Sequence, residues 1–153
     1  MQKVQIESFN IIGISVRTTN QNRQAYQDIA ALWARFMGEQ IAERIPNKID
    51  QSIYCLYTNF ESDHTGEYDT VLGCKVSSLF GVPEGMVGIN IDNGPFAAIT
   101  AKGDLTKGLL YETWSNIWDM DLDRSFITDF EVYGEKAMNP QDAEVDVFVA
   151  LHA

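Results

Sequence analysis

The order of elements repeats about a short linker, and that repeat constrains the fold more than any other feature of the chain. On each side of Gly81-Val82-Pro83-Glu84-Gly85 the residues read strand, helix, strand, strand. In the first half, 1–81, Val4–Thr18 is apolar and β-branched around Gly13, which predicts one long strand. Thr19–Asn22 offers capping side chains to a helix over Gln24–Glu43. There Tyr26, Ile29, Leu32, Trp33, Phe36, Met37 and Ile41 recur three and four residues apart. Strands Ser52–Phe60 and Tyr68–Leu79 follow, joined by the hairpin loop Ser62–Glu67.

In the second half, 86–153, Met86–Ala101 holds two apolar runs about Asp92-Asn93-Gly94-Pro95, and Phe96–Ala101 reads as strand. Asp104–Met120 predicts a second helix. Phe126–Tyr133 and Val145–Leu151 predict the closing strands, with Gly134–Glu144 between them. Trp33 follows Ser15 by as many residues as Trp118 follows Thr100. Two such units bury their open edges by joining into one antiparallel sheet. The expectation is an α+β fold, one domain over 1–153, with two long helices and a central ligand cleft between the halves.

A formal charge of −11, spread along the chain, repels phosphate backbones and argues against direct nucleic-acid binding. No apolar run approaches the roughly 20 residues that span a bilayer. The N-terminal stretch is interrupted by Glu7, Asn10 and Arg17, unlike a secretion signal, so a cytoplasmic location is expected. Cys55 and Cys74 sit in apolar strand patterns and read as buried thiols. A hairpin turning between His64 and Thr65 would set them directly opposite each other. Neither cysteine, nor His64 or His152, has metal-ligand spacing, and no cofactor is implied.

The strand Phe126–Tyr133 has an unusual face. Ile127, Asp129, Glu131 and Tyr133 alternate on one side, while the neighbouring strand is almost wholly apolar. A carboxylate among aliphatic and aromatic groups is costly to desolvate unless a cation meets it. Asp129 reads as a solvated bystander, and Tyr133 as pointing past Glu131. Trp33 lies on a packed helical stripe. Trp114 and Trp118, four residues apart, share a helix side, and one of them is expected to reach the cleft.

Several motifs resemble the GyrI-like small-molecule-binding family, the effector-binding domain of bacterial transcription activators of AraC type. They are Gly94-Pro95-Phe96-Ala97-Ala98, Ala101-Lys102-Gly103, Trp114-Ser115-Asn116-Ile117-Trp118, Asp129-Phe130-Glu131-Val132-Tyr133 and Val145-Asp146-Val147-Phe148-Val149. Ile29–Phe36 and Tyr68–Val76 extend the resemblance through the first half. It implies a cleft that binds lipophilic, often cationic and aromatic small molecules, as in multidrug binding, with Glu131 at its floor. By position it suggests Trp33, Tyr54, Tyr57, Tyr68, Trp114, Trp118 and Phe148 as walls. In the family's regulators this domain follows a DNA-binding segment of helix-turn-helix type, which this chain is expected to lack; the resemblance then implies an effector-binding protein that sequesters its ligand or reports it to a partner such as a separate regulator. The alternatives it carries are hydrolysis of reactive xenobiotics by the cleft glutamate and inhibition of a protein partner such as gyrase. No nucleophile or second carboxylate stands at a diagnostic spacing for catalysis.

Overall fold

Period-two alternation of apolar residues builds eight strands, and two amphipathic segments build the helices that cover them. The computed structural model describes residues 1–153 throughout. In chain order the elements are β1 (Gln2–Ile6), β2 (Phe9–Thr19), α1 (Gln24–Gly38), the single turn α2 (Ile41–Arg44), β3 (Ile53–Thr58) and β4 (Glu67–Val76). The second half supplies β5 (Val87–Ile91), β6 (Gly94–Gly103), α3 (Leu109–Trp118), β7 (Thr128–Tyr133) and β8 (Ala143–Ala150). All eight strands form one antiparallel sheet in the order β1-β6-β8-β7-β3-β4-β2-β5. The fold is α+β.

The order is symmetric about the β3–β7 seam. The predicted first strand is in fact two, because the chain leaves the sheet at Glu7-Ser8. As a result β1, from the first half, pairs with β6 of the second, while β5, from the second, pairs with β2 of the first. Each half covers an edge of the other, which removes two open ladders. The approximate twofold axis runs close to Cys55 and Glu131, which lie opposite each other on β3 and β7.

One sheet face carries a cluster drawn from every strand, including Phe9, Ile11, Tyr54, Leu56, Val71, Ile91, Phe96 and Phe130. Strands β2 and β7 are three ladder steps apart, about 14 Å in a flat sheet. Yet the Phe9 and Phe130 rings lie 5.2 Å apart. The sheet therefore curls strongly around this face. The helices pack on the other face. Leu32 and Phe36 of α1 join Ile12, Ile14, Cys55 and Leu72, while Ile117 of α3 joins Ala97, Val147 and Val149. These two cores are separate clusters, and the seam between them runs along β3 and β7.

Three expected boundaries shift for local reasons. The first helix breaks after Gly38, where Gln40 takes a left-handed backbone with φ of 50°. The second begins only at Leu109, after a tight turn capped by Asp104 and a left-handed Gly108. Phe126, with φ of 56°, cannot begin a strand, so β7 starts at Thr128. Cys55 faces Leu72, not Cys74, because the hairpin turns one residue earlier than expected. Both cysteines are buried free thiols.

Candidate functional site

At the seam the apolar covering gives way to polar-tipped aromatics around Glu131, whose backbone β7 fixes on the helix-covered face. Glu131 is 1% exposed, and three neutral groups donate to its carboxylate. The Tyr57 hydroxyl on β3 donates to Oε2 at 2.8 Å, and the Trp114 indole N–H on α3 donates to the same oxygen at 2.6 Å. The Tyr133 hydroxyl donates to Oε1 at 2.6 Å. No lysine, arginine or histidine pairs with it. Burial pushes the Glu131 carboxyl above its usual range, and the hydrogen bonds from Tyr133, Trp114 and Tyr57 oppose that shift without cancelling it. Burial likewise pushes Tyr57, Tyr133 and the Cys55 thiol well up, so all three stay protonated.

The rings interlock around this centre. Trp33 of α1 stands edge-on to Tyr133 at 4.8 Å, and Trp114 edge-on to Tyr57 at 5.5 Å. Tyr68 packs against Tyr57 at 5.9 Å and donates its hydroxyl to the Asn20 side chain. Trp33, Tyr57, Trp114 and Tyr133 are half-buried, so each long helix contributes a tryptophan to the group of aromatic rings around Glu131.

Of the residues suggested by sequence, Glu131, Trp33, Tyr57, Tyr68 and Trp114 come together. Three do not. Tyr54 and Phe148 point to the opposite face: Tyr54 donates to Asp50, and Phe148 stacks on Phe130 at 4.7 Å. The period of the strand explains this, since Tyr54 alternates with Cys55 and Phe148 with Val147. Trp118 stands apart from the Glu131 group, stacked on His64 of the β3–β4 loop at 5.2 Å. Trp114 is the tryptophan of α3 that reaches Glu131.

Two further expectations are corrected. Tyr133 does not point past Glu131 but holds it, because residues two apart on a strand share a face and a phenol spans the gap. Asp129 is not solvated. It is 1% exposed, accepts the Ala150 N–H at 2.8 Å and pairs with Arg124 at 2.7 Å. Arg124 in turn lies over the Phe126 ring at 4.1 Å and the Trp114 ring at 5.9 Å. Sequence reading misses Arg124 because it precedes the strand on an irregular segment, where spacing carries no contact information.

Residues 4–151 match a family model described as Cass2, integron-associated effector binding protein. The chain belongs to this family. A putative transcriptional regulator of Bacillus subtilis, YobU, is 29% identical over 143 residues, covering 91% of this chain and 89% of YobU. The integron cassette protein VCH_CASS2 of Vibrio cholerae superposes with a TM-score of 0.76 and 26% identity, covering 99% of this chain and 95% of the other. SAV2435, solved bound to tetraphenylphosphonium, has the same fold with a TM-score of 0.80 and 18% identity, over 99% of this chain and 93% of its own. As a Cass2-family chain the protein has the GyrI-like fold expected from its motifs, and among its helices none is long and apolar enough to cross a membrane.

Proposed function

We propose that the protein binds a lipophilic, aromatic monovalent cation among the aromatic rings that α1 and α3 bring to the seam, with Glu131 supplying the counter-charge. The observation that carries this reading is a fully buried carboxylate held only by neutral donors. Neutral hydrogen bonds orient the charge but leave it uncompensated in a medium of low dielectric. A delocalised cation supplies what is missing at small desolvation cost, and well-placed ring faces add roughly 0.5–2 kcal/mol each. That SAV2435, of the same fold, holds tetraphenylphosphonium is consistent with this chemistry.

Because Glu131 is shielded by the rings around it, the ligand enters only when one of them yields. Trp114 is the ring to move, since it is half-buried and rides on α3. The surrounding tyrosines and thiol are held protonated, which favours binding over covalent chemistry. Titration of tryptophan fluorescence with tetraphenylphosphonium, and with an uncharged analogue of similar shape, tests the reading. The cation binds the wild type, and Glu131→Gln weakens it by about tenfold or more. Equal binding of the neutral analogue, or an unaffected Glu131→Gln protein, overturns it.

A further inference from the structure

Strand β7 presents two buried carboxylates, Asp129 and Glu131, on one face, about 7 Å apart along the strand. Only one of them has a resident cation. The Asp129 carboxylate takes Arg124 Nη2 on Oδ2 at 2.7 Å and the Ala150 N–H on Oδ1 at 2.8 Å. The guanidinium is fixed. Its segment is tied to the C-terminal strand by Ser125 N–H to Ala150 O at 3.0 Å and His152 N–H to Asp123 O at 2.9 Å. The Arg124 side chain is 7% exposed and lies over Phe126 and Trp114. Thus a single indole has the Glu131 carboxylate at its N–H and a guanidinium against its ring.

We propose that the cleft is built to accept one positive charge and not two, and that the Arg124–Asp129 pair sets this count. The inference rests on the preceding reading that the cleft takes a cation. A ligand seated on Trp114 meets Glu131 with its first charge. A second positive charge on the same ligand approaches Arg124, whose only carboxylate is already paired, and like charges at such range repel strongly where water is excluded. Arg124 thereby acts as a selectivity residue through charge alone.

The test uses three flat aromatic compounds of nearly one shape: methylbiphenyl (neutral), N-methyl-phenylpyridinium (one charge) and N,N′-dimethyl-bipyridinium (two charges). Each is titrated calorimetrically against wild type, Arg124→Met, Asp129→Asn and the double variant. A buffer near pH 8 lets a carboxylate freed of its partner ionise against the ligand. Wild type favours the monocation over the dication by about tenfold or more. Arg124→Met removes most of that preference. Asp129→Asn leaves the guanidinium uncompensated, so it weakens both cations and spares the neutral compound. The double variant, which also lacks the guanidinium, likewise loses most of the preference. Should Arg124→Met fail to fold, the last two variants carry the test. A wild type indifferent to the second charge overturns the proposal, as do variants that all keep the wild-type ratio, which would make the pair purely structural. Neutral methylbiphenyl binding the wild type as tightly as the monocation overturns the cation reading itself, a distinct outcome.

Discussion

Glu131 exchanges hydration for two phenols and an indole, and the exchange leaves its charged form disfavoured in the folded protein. Its folded pKa lies above the unfolded value. The stability it contributes as a neutral group is therefore fully present below about pH 4 and is lost as pH rises through the raised value. Glutamine mimics the protonated acid: its carbonyl accepts from Tyr57 and Trp114, and its amide donates to the oxygen of the half-buried Tyr133, whose own proton turns away from the site. Glu131→Gln should thus stabilise the protein at neutral pH by about 1–2 kcal/mol, seen as a melting temperature roughly 2–6 °C higher. The difference should vanish towards pH 4. A variant less stable than wild type at pH 7 would show that the carboxylate, not its absence, is favoured by the surrounding donors. Together with the loss of cation binding, such a gain would mark Glu131 as a residue kept for function at the expense of stability. Alternation along β7 makes Glu131 legible from the sequence alone. The same alternation misplaces Asp129 in solvent, because its partner Arg124 lies outside any periodic element.

The strands owe their curl to close backbone approach, and two glycines permit it. Gly13 on β2 and Gly73 on β4 sit directly opposite each other. A Cβ on Gly73 would stand 2.3 Å from the Ile12 carbonyl oxygen, and one on Gly13 only 2.0 Å from that of Leu72. Neither oxygen can retreat without breaking the ladder, so Gly73→Ala should cost about 1–3 kcal/mol, measured by urea denaturation. An unchanged midpoint would mean that the sheet flexes there freely. A tighter consequence concerns shape: flattening this crossing would draw Phe9 away from Phe130. Strand faces are readable from the sequence where exact partners are not. The first hairpin's register is displaced by two residues from the expected one, which exchanges Cys74 for Leu72 opposite Cys55 yet leaves every side chain on its expected face. Periodicity cannot choose between Trp114 and Trp118, since both lie on one side of α3. The path of the β3–β4 loop, which brings His64 to Trp118, decides it.

At the scale of the molecule, the repeat is visible in the order of elements, but the exchange of edge strands is not. Polar residues recur throughout Val4–Thr18, at Gln5, Asn10, Ser15 and Arg17, so Glu7-Ser8 does not by itself announce that β1 leaves β2 to cap the far edge. That exchange has an energetic consequence. A chain cut at the Gly81–Gly85 linker would give a first half whose β2 edge lacks β5 and a second half whose β6 edge lacks β1. Each would also expose its share of the one apolar cluster that all eight strands build, and would lose the β3–β7 ladder. Neither half then buries enough surface to offset its chain entropy. The two halves should therefore unfold as one cooperative unit although the order of elements repeats. The tryptophans provide the test, with Trp33 reporting on the first half and Trp114 and Trp118 on the second. Single-tryptophan variants followed in urea should share one midpoint with far-ultraviolet circular dichroism, and calorimetric and van't Hoff enthalpies should agree. Fragments 1–81 and 86–153 should be unfolded apart and regain the tetraphenylphosphonium-binding signal when mixed, because the proposed ligand site lies on the seam that only their pairing creates. Separate midpoints for Trp33 and Trp114, or a fragment that folds alone, would show that the exchanged strands are decoration and that each half carries its own core.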